Sequence, residues 1–123
     1  MLVRSIFAAA LLVATAPLAR ADGDAAAGET VFKKYCAVCH TTEDGKNKIG
    51  PSLHAVVGRK SASAAGFQYS DAMKNSGKTW DDASLDGYLT NPRQVVPGTK
   101  MVFVGLKSDQ DRKNLIAYLA SQK

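Results

Sequence analysis

The segment Cys36-Ala37-Val38-Cys39-His40 constrains this chain more than any other stretch of its 123 residues. Two thiols one helical turn apart, followed directly by an imidazole, form the C-x-x-C-H signature of covalent haem attachment. At such a site the thiols add across the two vinyl groups of one porphyrin, and the imidazole supplies one axial bond to the iron. The rest of the chain must then fold around a flat, largely apolar group.

The same residues admit three other interpretations. A thioredoxin-like dithiol also uses C-x-x-C, but beside a βαβ pattern that this sequence lacks. A zinc site could combine the two cysteines with His40 and His54, although their spacing fits no common zinc module. The two cysteines could also form a simple disulfide, because an exported protein meets an oxidising environment.

The first 21 residues have the pattern of a secretory signal peptide. Arg4 provides the positive start, residues 6–16 form a short apolar run, and Ala19-Arg20-Ala21 is a cleavage site of the A-x-A type. The run is too short to span a bilayer comfortably. We therefore expect export to the periplasm, no stable membrane insertion, and one mature domain over residues 22–123.

Composition limits both the partners and the core. The sequence has 16 basic and 11 acidic residues, and two of the basic ones, Arg4 and Arg20, lie in the signal segment. The small positive excess that remains does not indicate nucleic-acid binding, but it could steer the protein to an acidic partner if the lysines share one face. With 7% aromatic residues the apolar core is thin, and a buried porphyrin would fill it where a lone disulfide would not.

Four helical segments and no strand pattern predict an all-α fold. We expect the helices over Asp24 to Tyr35, Ser70 to Asn75, Asp82 to Asn91, and from a capping box at Ser108 to about Ser121. Apolar stripes on the first and last helices predict that these two pack together. The glycine-rich region 41–67 is long for a loop in an ordinary domain, but it suits a chain that wraps around a cofactor.

The apolar stripes consist of four residues on the first helix and three on the last. They are Gly28, Val31, Phe32 and Tyr35 on the first helix and Leu115, Tyr118 and Leu119 on the last.

An iron bound by one histidine needs a second axial ligand, and the candidates are His54, Met73 and Met101. Met101 is favoured because Pro97 and Gly98 form a tight turn that could direct its thioether inward.

Six motifs together make this sequence similar to the class I c-type cytochromes, close to mitochondrial cytochrome c and bacterial cytochrome c2. The resemblance covers residues 23–123. Its motifs are C-x-x-C-H, Gly50-Pro51-x-Leu53, Gly58-Arg59, the single Trp80, the segment from Pro97 to Met101, and the segment from Leu115 to Leu119.

The resemblance implies the small cytochrome c fold, with about four helices and long loops around one covalently bound haem c. It implies Cys36 and Cys39 as thioether anchors, and His40 and Met101 as axial ligands of the iron. It further implies that the carbonyl of Pro51 accepts a hydrogen bond from the ligand imidazole. Bonds of this kind orient a metal-bound histidine.

The resemblance also places six side chains around the haem: three at a buried propionate, two beside the methionine ligand, and one at the haem edge. These are Arg59, Tyr69 and Trp80, then Tyr88 and Thr99, and finally Phe103. Two departures from the mitochondrial pattern stand out, because Met73 replaces an asparagine near the ligand and Tyr35 replaces a partner-binding lysine.

The function implied is that of a monomeric one-electron carrier and not of an enzyme, since Met101 would fill the axial position that a haem peroxidase needs open. The expected partners are a cytochrome bc1-type complex or a dehydrogenase as donor, and a terminal oxidase or photosynthetic reaction centre as acceptor. Docking is expected to be transient and salt-sensitive, on a basic face. Its residues are Lys34, Lys48, Arg93, Lys100 and Lys107.

Overall fold

A computed structural model describes residues 23–123, and the signal peptide predicted for residues 1–21 lies outside these residues. The elements are α1 (Ala25–Tyr35), α2 (Asp71–Lys74), α3 (Asp82–Thr90), α4 (Pro92–Val95) and α5 (Asp109–Ser121). The described part of the chain has no strand, only an isolated bridge between Lys60 and Thr79. The all-α prediction is therefore confirmed. None of these helices has the length and apolar character needed to cross a membrane.

Helices α1 and α5 pack directly against each other, as their stripes predict. The Asp24 carboxylate caps α1 by accepting a hydrogen bond from the Ala26 N–H at 2.8 Å. Gly28 lies where α1 crosses α5, and a Cβ atom there would come within 1.8 Å of the Asn114 carbonyl oxygen. The aromatic rings of Phe32 and Tyr118 meet beside this crossing, with centroids 5.4 Å apart. Only glycine allows this close approach.

Two details of the helices differ from the sequence predictions. Tyr35, assigned to the buried stripe of α1, is 39% exposed, because the last turn of the helix reaches the surface. The third predicted helix is α3, which ends at Thr90, and a further short helix that was not predicted follows it, with Asn91 as its cap and Pro92 at its first position. Proline favours that position because the first helical N–H has no partner within the helix.

The start of α5 is tied to the rest of the fold by Arg112, which is 6% exposed. Its guanidinium donates to the Asp86 carboxylate of α3 at 2.8 Å and to the Asp109 carboxylate. It also donates to the carbonyl oxygens of Leu106 and Lys107, at 2.8 and 3.1 Å. One buried side chain thus joins α3, α5 and the end of the loop that contains Met101.

Residues 41–67 contain no helix, as expected, and hydrogen bonds to the backbone hold them in place. The Leu53 N–H donates to the Thr41 carbonyl at 2.8 Å, and the Ala55 N–H donates to the Gln122 carbonyl beyond α5. The Thr41 hydroxyl donates to the Lys46 carbonyl at 2.7 Å. This region is a defined structure that positions the residues following His40.

Candidate haem-binding site

Cys36, Cys39 and His40 leave the end of α1 on a single turn. Cys36 is the C-cap of the helix, and its carbonyl accepts hydrogen bonds from the N–H groups of Cys39 and His40, at 3.1 and 2.9 Å. Both thiols are free and partly buried, and no disulfide joins them. Burial, with a smaller contribution from Cys39, raises the pKa of the Cys36 thiol to about 11. The turn therefore presents two free cysteine side chains and one imidazole from one short segment.

The imidazole of His40 is fixed in orientation by its neighbours. Its Nδ1 lies 2.7 Å from the Pro51 carbonyl oxygen and donates to it, since a carbonyl can only accept. The lone pair of the ring is thereby assigned to Nε2. Burial is the main cause of a lowered pKa for His40, which keeps the ring neutral at neutral pH. A neutral imidazole with a free Nε2 is the form that binds a metal ion.

Gly50 completes the support of His40, a role that its place in the Gly50-Pro51-x-Leu53 motif did not indicate. A Cβ atom at this position would lie 2.4 Å from His40 Cε1 and 2.7 Å from Nδ1. The Gly50 N–H also donates to the Cys39 carbonyl at 2.8 Å. The pair Gly50-Pro51 therefore contacts the imidazole twice, once by packing and once by a hydrogen bond. The sequence could have indicated this shared support of His40, because Gly50 and Pro51 are adjacent in it.

Met101 follows a tight turn, as predicted. The Thr99 N–H donates to the Val96 carbonyl at 3.0 Å, and Gly98 has a φ of +90°, which favours glycine. The Thr99 hydroxyl lies 3.1 Å from the Tyr88 hydroxyl and accepts from the Met101 N–H at 3.3 Å. The Met101 side chain is half-buried and packs against the core. Tyr88 and Thr99 thus hold the backbone from which the thioether projects.

Aromatic side chains line the core around these groups. Trp80 is buried and contacts Tyr88, with ring centroids 4.9 Å apart. Tyr69 packs edge-on against Phe67 at 4.8 Å, and its hydroxyl accepts from the Ala64 N–H at 3.0 Å. Phe103 is half-buried and packs against the core. The aromatic residues predicted from the resemblance therefore lie in the core or pack against it.

Arg59 has a buried donor without a partner. Its Nη1 donates to the His54 carbonyl at 2.8 Å and its Nη2 to the Ser52 carbonyl at 3.0 Å, but Nε has no acceptor among the described residues. Leaving a charged donor unsatisfied in a buried position is costly. An anionic group is the natural partner for such a guanidinium.

The zinc interpretation gains no support from the described residues. Among the described residues, no three His, Cys, Asp or Glu side chains come together as a metal site. The Nδ1 atom of His54 lies 3.1 Å from the Thr42 carbonyl oxygen, the same kind of contact that His40 makes with Pro51. Met73 is buried on α2, and its Sδ atom lies 3.7 Å from the hydroxyl oxygen of Ser76.

The residues present fit a haem group. The two free thiols, the neutral imidazole with a free Nε2 and the thioether of Met101 are the donor types that covalent attachment and axial ligation of haem require. The unpartnered Nε of Arg59 fits the negative charge of a haem propionate. A helical fold with these groups defines the class of proteins that carry covalently attached haem.

The comparisons with known proteins agree with this fit. The family described as Cytochrome c matches residues 25–123. Cytochrome c2 of Rhodomicrobium vannielii is 59% identical over 105 residues, which are 85% of this chain and 83% of that protein. Cytochrome c of Gibberella zeae is 54% identical over 100 residues, 80% of this chain and 94% of that protein. The structure of cytochrome cH from Methylobacterium extorquens aligns with a TM-score of 0.75 at 50% identity, covering 79% of this chain and 97% of that one.

The chain belongs to the cytochrome c family, as a class I c-type cytochrome. Its cofactor is accordingly one covalently bound haem c, with Cys36 and Cys39 in the attachment motif. The proteins of this family are electron carriers. The five helices of residues 23–123 are consistent with the small all-α cytochrome c fold, and α4 adds one element to the four that were predicted.

Proposed function

We propose that this chain is a periplasmic one-electron carrier whose haem iron is bound by His40 on one side and Met101 on the other. The observation that carries the proposal is the hydrogen bond from His40 Nδ1 to the Pro51 carbonyl. This hydrogen bond orients the ring so that Nε2 points away from the backbone. The segment that contains His40 also supplies both thiols. When bound, the haem supplies an iron that alternates between the ferrous and ferric states.

The residues around the ligands keep their positions fixed during that change. Pro51 and Gly50 hold the imidazole, while the Tyr88 and Thr99 hydroxyls hold the backbone of Met101. Thioether ligation and an apolar surrounding both favour the ferrous state, because the ferric state carries one more positive charge. We therefore expect a positive reduction potential and little structural rearrangement on electron transfer.

Arg59 and its neighbours have an electrostatic role in this proposal. The Nε of Arg59 would hold a propionate, and Tyr69 and Trp80 would complete the enclosure of that group, as the family resemblance implies. The carbonyl groups of Ser52 and His54 already fix the guanidinium plane. The cation would therefore be positioned before the haem is attached, and the orientation of the haem would depend on it.

Partners would dock on the basic face formed by Lys34, Lys48, Arg93, Lys100 and Lys107. None of these side chains takes part in the ion pairs of the described residues, which involve Lys33, Lys46, Lys74 and Arg112. Three of the amino groups donate only to backbone carbonyls, those of Ala37, Gln68 and Thr90. Their charges are available to attract an acidic partner.

The proposed donors are a cytochrome bc1-type complex or a dehydrogenase, and the proposed acceptors a terminal oxidase or a photosynthetic reaction centre. The signal-peptide pattern of residues 1–21 supports a periplasmic location. In that compartment the protein would exchange electrons with these complexes. Within the proposal the protein is a monomer. It performs no catalysis of its own, since Met101 would occupy the iron site that a peroxidase needs open. Cell fractionation, with the amino-terminal sequence of the secreted chain beginning at Asp22, tests the location.

An anaerobic redox titration tests the proposed function. We expect one reversible one-electron step per chain, no binding of cyanide to the ferric protein within the mixing time, and no turnover of peroxide. Rapid cyanide binding together with peroxide consumption by the unmodified protein would contradict the carrier and favour a peroxidase. Two electrons per chain, taken up by the cysteines, would favour a dithiol-disulfide protein.

A further inference from the structure

An aspartate is followed directly by a glycine at two places in residues 23–123, Asp44-Gly45 and Asp86-Gly87. This dipeptide is chemically reactive, because the backbone nitrogen of the glycine can attack the side-chain carboxyl of the aspartate. Glycine has no side chain to obstruct the approach. The two pairs have the same sequence but different surroundings, so the fold decides which of them can react.

Asp44 and Gly45 lie at the centre of an exposed turn in the loop that follows His40. The Lys46 N–H donates to the Glu43 carbonyl at 3.3 Å across this turn, and both central residues are exposed. Gly45 has a φ of +70°, and a Cβ atom built on it would meet nothing within 4 Å. Within residues 23–123 no ion pair engages the Asp44 carboxylate, and the Gly45 N–H donates to no backbone carbonyl. Both reacting groups are therefore free to move.

The second pair, Asp86-Gly87, is held inside helix α3. The Asp86 carboxylate accepts a hydrogen bond from the buried Arg112 guanidinium at 2.8 Å, and the Asp86 carbonyl accepts from the Thr90 hydroxyl at 2.7 Å. An attack by the Gly87 nitrogen requires the carboxyl to leave Arg112 and the backbone to leave its helical angles. This pair can therefore react only while α3 is locally open, which is a minor state of a helix packed on the core.

We propose that Asp44-Gly45 is a site of spontaneous covalent modification, at which the aspartate isomerises to isoaspartate. In the first step the Gly45 nitrogen bonds to Cγ of Asp44. The hydroxyl of the carboxyl leaves with the amide proton as water, and a cyclic succinimide remains.

In the second step water opens the succinimide ring. Addition at the side-chain carbonyl restores aspartate. Addition at the backbone carbonyl instead leaves the chain running through Cβ and Cγ of Asp44, with a free α-carboxylate. The two steps together consume no water, oxidant or other reactant, and the net charge of the protein does not change.

The modified linkage would lie between two hydrogen bonds that close this loop. The Thr41 hydroxyl donates to the Lys46 carbonyl at 2.7 Å, and the Ser52 hydroxyl donates to the Glu43 carbonyl at 2.5 Å. Isomerisation adds one carbon to the backbone inside the ring that Thr41 and Lys46 close, so the carbonyl groups must shift from their donors. Ser52 is buried and directly follows the proline that orients the ligand imidazole. We therefore expect the modification to destabilise the segment that supports this imidazole.

The experiment follows both pairs in the purified haem-loaded protein during long incubation in neutral buffer. Trypsin separates the pairs, since peptide 35–46 contains Asp44 and peptide 79–93 contains Asp86. Isoaspartate in each peptide is measured with an isoaspartyl methyltransferase and a labelled methyl donor, and its position is assigned by electron-transfer dissociation mass spectrometry. Isoaspartate should form at Asp44 at least about tenfold faster than at Asp86, because a tenfold ratio needs an opening free energy of only about 1.4 kcal/mol for α3.

Two controls assign the difference to the fold and to the modification. In guanidinium the chain is unfolded, so both pairs should react at similar rates. Asp44→Glu keeps the charge at the same exposed position, but its longer side chain would have to close a larger and less favoured ring, so it should accumulate no modification there. The modified fraction of the original sequence, isolated by chromatography, should have an unfolding equilibrium constant about fivefold higher, the effect of losing one hydrogen bond. Incubated Asp44→Glu should remain as stable as fresh protein.

The possible outcomes are distinct from those that test the carrier function. Equal rates at the two pairs in the folded protein, or no isoaspartate at Asp44, would overturn the proposed site. A preference for Asp44 that persists in guanidinium would attribute the reactivity to neighbouring sequence and would overturn the role of the turn. An unchanged stability of the modified fraction would overturn the effect on the ligand segment. The redox titration described above is independent of all three results.

Discussion

The position of His40 depends on two neighbouring residues that have no ligand chemistry of their own. Pro51 supplies a carbonyl that fixes the ring orientation, and Gly50 leaves the space that the ring fills. The C-x-x-C-H motif predicted the thiols and the imidazole from the sequence, because the chemistry requires that spacing. The packing of Gly50 against the ring could not be predicted in the same way, since it depends on how residues 41–49 return the chain to His40.

Replacing Gly50 with alanine should displace the His40 ring. The added methyl group would lie 2.4 Å from Cε1, and overpacking of this kind costs about 1–3 kcal/mol or more. We expect lower stability in guanidinium unfolding and an altered haem spectrum. Gly87→Ala is the control, because a Cβ atom at Gly87 meets nothing within 4 Å and alanine favours helix by about 1 kcal/mol. Equal stability of the two variants would contradict the packing argument.

Removing the hydroxyl of Tyr88 should loosen the Met101 turn. The hydroxyl lies 3.1 Å from Thr99 Oγ1, which in turn accepts from the Met101 N–H. The loss of one such bond costs about 1 kcal/mol, which corresponds to about a fivefold change in an equilibrium constant. Tyr88→Phe should therefore bind cyanide about fivefold more tightly than the unmodified ferric protein. Tyr118→Phe serves as the control, and an identical cyanide affinity for both variants would argue against this role of Tyr88.

At the scale of elements, the two helices with clear patterns were predicted well and the shorter ones less so. The caps at Asp24 and Ser108 and the packing of α1 on α5 follow from local chemistry and periodicity. Helix α4 was missed because Pro92 was interpreted only as the end of α3, although Asn91 before Pro92 is also a helix-start signal. Tyr35 has the right spacing for the buried stripe, but it is too close to the end of α1 to be covered.

Arg112 was not predicted as a structural residue, since a single arginine on a helix is usually exposed. Arg112→Met should lower the free energy of unfolding by about 1–3 kcal/mol, because it removes the hydrogen bonds to Leu106, Lys107 and Asp86. Asp86→Asn keeps the hydrogen bonds to the two carbonyl groups and should have a smaller effect. Chemical denaturation of both variants measures the difference, and a larger loss for Asp86→Asn would show that the charge pair is the main contribution.

At the scale of the whole molecule, we expect the haem to complete the core. Thirteen hydrophobic residues are buried in the described region, which is few for a chain of this length with a long loop. A double variant, Cys36→Ala with Cys39→Ala, should therefore lose most of its helical circular dichroism when it is prepared without haem. Restoration of the signal by added haem would support the packing role, and native-like dichroism of the haem-free chain would contradict it.

The central claim is that His40 and Met101 bind the iron of one covalently attached haem. The most direct test is the absorption spectrum of the purified ferric protein in the visible and near-infrared, recorded for the unmodified chain, Met101→Ala and Met73→Leu. We predict haem bands that stay with the chain after acid-acetone extraction, and the weak near-infrared band of methionine-ligated ferric haem. That band should disappear in Met101→Ala and persist in Met73→Leu. Loss of the band in Met73→Leu alone, or haem that extracts into acetone, would contradict the account.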